Sequence, residues 1–454
     1  MVGRMIPKIL KGTTLKSRAL KGGLVALGGF GAAQGIRLLS NLIMTRLLAP
    51  DAFGLMAVTL ALQIWIQMMS DLGLDASIIR SKRGTEPDFL ATARTMQLGR
   101  CGLIAGVLVA AGLALPSLRA GGFFPAGSVF ADARLPVFVF AVALSVMISG
   151  FSAMRVALHN RSLDLVPVIR LELSAQIIAL GAMATAALMG AGVFSLAVGA
   201  IVAEIVKSAG SHVFLKGPPA RFGFARAHFD EIFAYGKWLL IASTFGYLAQ
   251  RGDQVIFGWL FDIRAFSLYS IATIWIMAGR TLVETVQRRI AYPTLAELHR
   301  ERAHDLTRVY RRMRLVYEGG CFALFLGVVL FADFAVKILY TADYQGVAHY
   351  MKLASVALLL VPYRLLSSVL LTSGDSRRFT IIAVAPGAAL FGLTPVIFAR
   401  FGADAAILFA ALTPILAIPF NWKFASKFIR IDMLRESLMA LVAIGAAALI
   451  LKFA

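Results

Sequence analysis

Long apolar stretches separated by short clusters of Pro, Gly, Asp and basic residues run the length of the chain. They place helices near 22–46, 52–79, 96–116, 135–158, 168–189, 192–214, 235–261, 265–292, 314–332, 348–372, 378–399, 402–424 and 434–452. Most are about twenty residues long, enough to cross the hydrocarbon of a bilayer as a helix. The runs are solid rather than alternating, which excludes a transmembrane barrel. The expected class is an all-α polytopic membrane protein.

The break "TRLLAPDAFGL" (45–55) returns as "GWLFDIRAFSL" (258–268). Leu47, Ala52, Phe53 and Leu55 match Leu260, Ala265, Phe266 and Leu268 without gaps. Further on, Arg94, Met96, Leu98 and Gly102 match Arg311, Met313, Leu315 and Gly319, with four extra residues in the second copy. The chain thus reads as two parallel repeats of six helices, an arrangement that places a substrate site between the repeats. The segments are a basic cytoplasmic N-terminus (1–21), a first lobe (22–215), a cytoplasmic linker (216–234), a second lobe (235–424) and an additional C-terminal helix (425–454). The apolar segment behind the basic N-terminus carries Gln34, Arg37 and Asn41, so it is expected to be a retained helix rather than a cleaved signal. At the break, Pro50 is expected to end the first helix and Asp51 to cap the second.

Composition and charge agree. Of 454 residues 59% are hydrophobic and 15% charged, and the mean hydropathy is +0.79. The formal charge of +21 gathers in alternate loops: with the N-terminus in the cytoplasm, 34 basic residues fall on that side and 8 on the other. That is the positive-inside bias of a membrane protein facing anionic lipid, not a nucleic-acid footprint. Cys101 and Cys321 read as packing residues. No metal-ligand spacing and no phosphate-binding loop of an ATPase occurs, so no cofactor or metal is expected. Gly31-x-x-x-Gly35 and Gly102-x-x-x-Gly106 suit close helix packing.

Polar residues inside apolar helices are the functional candidates, since they are costly against lipid. Gln34, Arg37, Asn41 and Thr45 share one helix face, and Ser243, Tyr247, Gln250 or Arg251, and Gln254 repeat the spacing in the second lobe. They are expected to line a hydrophilic cavity between the lobes; hydrogen-bonded helix packing is the other reading. Arg37, Arg251 and Arg364 offer a pyrophosphate the forked donors it needs, and Arg251 has a local alternative in Asp253. Gln63, Gln67, Asp71 and Asp75 follow at four-residue intervals, and Asp71 matches Glu284 of the second copy. Glu284 has Arg280 and Arg288 within its own helix, whereas Asp71 lacks such a partner; Asp71, Asp253 and Glu284 are the candidates for gating or ion coupling.

The stretches "RLLAPDAFGLMAVTLALQIWIQMMSDLGLDASIIR" (46–80) and "RGDQVIFGWLFDIRAFSLYSIA" (251–272) resemble the polysaccharide transporter branch of the multidrug/oligosaccharidyl-lipid/polysaccharide (MOP) flippase superfamily. Ser267 stands where that family usually has glycine. The resemblance, over roughly residues 20–424, implies a two-lobed V-shaped bundle of the bacterial inner membrane with a cationic central cavity. Its implied task is moving undecaprenyl-pyrophosphate-linked oligosaccharide between leaflets for exopolysaccharide or O-antigen synthesis. It leaves open whether a polymerase or export machinery works alongside. An antiporter for small cations within the superfamily is the alternative, though such transporters favour carboxylates deep in the first lobe, whereas the first helix here carries Arg37 and no acid. A membrane-embedded polymerase or glycosyltransferase would need a larger extracytoplasmic loop than 117–134, whose one acid is Asp132. The protein is therefore expected not to be an enzyme.

Overall fold

Helices form where the apolar runs lie, because backbone polar groups in lipid must be satisfied within the segment. The computed structural model describes residues 15–453 apart from 163, 220, 288–290, 292–293, 296, 299–302, 367–375 and 430. For 15–27, 80, 235, 237–239, 241–246, 248–250, 303, 376–384, 434–435 and 453 it describes the backbone alone. Among the described residues there is no strand. Among the described residues, seven helical stretches are long and apolar enough to cross a membrane, or eight if one bent pair counts as a single span. Two compact units divide the chain: 1–123 with 133–243, and 124–132 with 244–454.

The first unit holds α1 (Leu15–Leu47), α2 (Asp51–Met69), α3 (Leu74–Arg80), α4 (Pro87–Ala120), α5 (Leu135–Gly150), α6 (Arg155–Ser162), α7 (Leu165–Ala186), α8 (Ser195–Val213) and the start of α9 (Arg226–Leu260). Helix α4 packs on α5, α5 on α8, α7 on both α8 and α1, and α2 on α5. Many large apolar side chains remain exposed, such as Leu103 at 60% and Leu113 at 66% on α4. In a membrane these are the lipid-facing positions.

The second unit holds the rest of α9, then α10 (Ile263–Val286), α11 (Ala303–Leu339), α12 (Val347–Ser355), a 3₁₀ stretch (Val356–Tyr363), α13 (Ser376–Leu412), α14 (Ile418–Ala425) and α15 (Met433–Phe453). Helix α12 packs on α10, α11 and α13, and α15 on the 3₁₀ stretch. Helix α15 aside, the described elements follow the order of the first unit. The repeat extends to a detail: Gly190 (φ 87°) breaks the stretch between α7 and α8, and Gly402 (φ 83°) breaks α13 at the corresponding place. Both need a left-handed backbone that side chains with a Cβ resist.

Several boundaries differ from the sequence expectation. The helix expected over 52–79 stops at Met69: the Ser70 hydroxyl donates to the carbonyls of Ile66 and Gln67, and Gly73 turns left-handed (φ 59°) before α3. Gln63, Gln67, Asp71 and Asp75 therefore do not form one continuous helical ladder. Asp51 does not cap α2; it is the first helical residue and lies 3.5 Å from Arg134. In the second copy Asp262 does cap, accepting the backbone N–H groups of Arg264 and Ala265 at 3.0 Å. Helices α4 and α11 start well before their apolar runs, since hydropathy marks the membrane-crossing part alone. A Cβ at Gly31, Gly35, Gly102 or Gly106 would meet nothing within 4 Å, so these glycines do not serve the close packing expected of them.

Part of the expected linker is fastened to the first unit. Arg155 donates to the carbonyls of His212, Leu215 and Pro218. Thr95 exchanges hydrogen bonds with Gly223, and Thr92 accepts the N–H of Ala225 at 3.1 Å. Residues 226–234, expected as linker, are the first turns of α9.

Candidate functional site

Because α2 ends early, the turn 70–73 swings Asp71 toward α4. Its carboxylate lies 3.5 Å from the Arg100 guanidinium and accepts the N–H of Gly73 at 3.0 Å. Arg100 also donates to the Gln67 carbonyl at 3.0 Å and the Ser70 hydroxyl at 3.3 Å. Asp71 thus has a partner the sequence did not reveal. Arg100 is matched by Tyr317 in the repeat, so periodicity gave no signal for it.

The pair borders a cleft of about 490 Å³ inside the first unit, lined also by Gln67, Asp75, Gln97, Cys101, Ser149 and Ser152. Two carboxylates and one guanidinium leave one negative charge in excess, which suits a proton or a small cation. Asp75 opens onto this cleft. The surrounding protein walls push its pKa above the ordinary 3.8; the Asp71 carboxylate adds to that, and Arg100 opposes it.

On α1, Gln34 is half-buried, Arg37 exposed, and Asn41 and Thr45 buried. Thr45 turns its hydroxyl back to the Leu42 carbonyl at 3.0 Å. The stripe thus divides into a packed part and an exposed guanidinium at Arg37. No hydrogen bond or ion pair to Arg37 exists among the described residues.

In the second unit, Asp253 of α9 accepts the Tyr269 hydroxyl of α10 at 2.6 Å. Gln254 meets Thr273 at 3.3 Å and Ser270 at 3.4 Å and is 6% exposed, so it packs α9 on α10. Asp253, Tyr269, Thr273 and Arg280 line a pocket of about 100 Å³ with Thr413. Arg251 makes no ion pair with Asp253 among the described residues; positions two apart point away from each other on a helix. Tyr247 and Arg251 are half-buried. The side chains of Ser243 and Gln250, and Arg288, lie outside the described residues.

Glu284 pairs with Arg280 at 2.7 Å within α10, as expected. It also receives Arg364, which the sequence had offered to a pyrophosphate. The acid that compensates Arg364 is Glu284, eighty positions away in the chain. Tyr269, Asp75 and Arg100 are the site residues that sequence reasoning missed. Asp75 alone had a signal, its place in the four-residue series.

A search of curated proteins finds no match. Solved structures match the fold closely. The lipid II flippase MurJ in an inward closed conformation gives a TM-score of 0.68 at 12% identity, covering 95% of this chain and 97% of that one. An inward-facing multidrug resistance MATE family transporter of the MOP superfamily gives 0.66 at 14%, covering 87% and 95%. At these identities the likeness is one of fold. The sequence matches the family described as polysaccharide biosynthesis protein over residues 43–349, more than half of the chain. The chain is therefore a multi-pass membrane protein that belongs to the polysaccharide biosynthesis protein family and has the fold of the MOP-superfamily transporters.

Proposed function

We propose that the protein is a flippase carrying undecaprenyl-pyrophosphate-linked oligosaccharide from the cytoplasmic to the outer leaflet of a bacterial inner membrane, with its N-terminus in the cytoplasm. The observation that carries this reading is the family match over residues 43–349; the MurJ-like fold supports it. Residues 22–215 and 235–424 are taken as the two functional lobes.

The chemistry is that of moving a dianionic head group while its prenyl chain stays in lipid. Arg37 supports this: an exposed guanidinium on an apolar helix with no acid beside it is available to an anion, and its fork matches a phosphate. Arg364 is already compensated by Glu284, so it serves the anion less well than its sequence context implied. The excess carboxylate of the 490 Å³ cleft supports ion coupling, with Asp71 and Asp75 loading a proton or cation. Asp253 with Tyr269 and Glu284, the counterpart of Asp71, are the candidates in the second unit. The step makes and breaks no covalent bond.

The test is leaflet accumulation in a deletion strain. Lipid-linked oligosaccharide should build up in the cytoplasmic leaflet and clear when the wild-type gene returns. Unchanged distribution between leaflets, or resistance to cationic drugs conferred in an efflux-deficient host, would overturn the reading.

A further inference from the structure

A buried charged network that the proposed transport step does not use joins α11, inside the stretch matched by the family, to α15, beyond it. Helix α15 carries Glu436, 6% exposed. One carboxylate oxygen accepts the Tyr310 hydroxyl of α11 at 2.9 Å; the other lies 3.3 Å from Arg314 of α11. Arg314, 3% exposed, also holds Glu318 at 2.7 Å, and its guanidinium lies 4.1 Å from the centre of the Tyr363 ring. Tyr363 donates its hydroxyl to the backbone carbonyl of Glu436, and the same oxygen accepts the N–H of Ala440 at 3.2 Å. The residue after Tyr363 is Arg364, which pairs with Glu284. Glu284 in turn holds Arg280, and Arg280 lines the pocket that contains Asp253.

A buried ion pair adds little stability over an apolar pair of the same shape. What these groups do well is fix a position, because each permits few arrangements in which all partners are satisfied. Here the fixed object is the end of a 3₁₀ stretch, where Tyr363 meets the backbone of α15 and the Arg314 guanidinium and Arg364 meets Glu284. We propose that α15 is a positioning element: the backbone of Glu436 and Ala440 holds the Tyr363 hydroxyl, the Glu436 carboxylate holds Arg314 over the Tyr363 ring, and Tyr363 sets where Arg364 meets Glu284. The functional consequence rests on the reading that the Arg280, Glu284 and Arg364 cluster takes part in transport.

Two measurements test the proposal separately. In the first, cysteines at positions 284 and 364 are joined in native membranes by a short bifunctional thiol reagent, with peptide-resolved detection. Tyr363→Phe should lower the yield about threefold to tenfold, as the loss of one hydrogen bond implies; an unchanged yield overturns the positioning role. Tyr363→Phe keeps the ring under Arg314, and it carries the test where Glu436→Gln fails to insert. In the second, export per inserted protein is measured for Glu436→Gln, Glu284→Gln and the double variant. Acting through Glu284, Glu436→Gln lowers export alone and adds nothing once Glu284 is changed; independent, multiplying losses overturn the functional claim. Normal export by Glu284→Gln would remove the cluster from transport, while the cross-linking result would still decide the positioning.

Discussion

Asp71 and Arg100 stand 3.5 Å apart, joining the turn that ends α2 to the middle of α4 across the rim of the cleft. Their side chains are 26% and 21% exposed, between the surface and buried regimes. Arg100→Met removes the guanidinium and leaves Asp71 and Asp75 to repel each other. The expected loss is about 1–2 kcal/mol of stability, between the values for exposed and buried pairs. Thermal unfolding in detergent measures it. The loss should shrink at high salt, which screens a partly exposed pair.

Asp75 predicts a second pH effect of definite sign. Its folded pKa is raised, so the fold prefers the protonated carboxyl. That preference favours the folded state fully below the ordinary value of 3.8 and is lost as pH rises through the folded value. Asp75→Asn should therefore raise the unfolding temperature relative to wild type at neutral pH. The gain should fade as pH drops and vanish below 3.8. Equal unfolding temperatures at neutral pH would show that Asp75 bears no such penalty.

Arg37 separates function from stability. The side chain is exposed and without an ion pair among the described residues, so Arg37→Ala should shift stability by no more than about 0.5 kcal/mol. Polymer export, normalised to inserted protein, should nonetheless be abolished. Arg37→Lys keeps the charge but not the fork, and should recover part of the activity. Normal export by Arg37→Ala would take this residue out of the mechanism.

How much of this was legible beforehand follows from which signals are local. Hydropathy placed the apolar runs because each helix in lipid is set by its own sequence, and the repeat was visible in Phe53 and Phe266, both buried at the start of their helices. The pairing of Glu284 with Arg280 was visible because both lie one turn apart on α10. The pairings of Asp71 with Arg100 and Glu284 with Arg364 were not, since each joins separate elements. Asp51 misled because a proline followed by an acid reads as a cap; here Pro50 takes the flanking place with helical torsions (φ −52°, ψ −39°), and the carboxylate turns to Arg134 instead. The Glu436 network was invisible for the same reason of distance in the chain.

The turn that carries Asp71 is also held from behind. Gly236 of α9 lies so close to this turn that an added Cβ would sit 2.8 Å from Leu72 Cα and 2.9 Å from its carbonyl carbon. Backbone atoms cannot swing aside as the end of a side chain can, so relief requires moving either α9 or the turn. Gly236→Ala should therefore destabilise the protein by about 1–3 kcal/mol, the range for overpacking. Gly31→Ala is the matched control: its Cβ meets nothing within 4 Å, and replacing a helical glycine by alanine there should be neutral or stabilising by up to about 1 kcal/mol. Thermal unfolding of the two variants side by side checks the pair. If Gly236→Ala moves Asp71 as this packing requires, the cleft should also change its response to pH, so that the Asp75→Asn gain at neutral pH differs between the wild-type chain and the chain carrying Gly236→Ala. Identical gains in both would mean that α9 yields and the Asp71 turn does not.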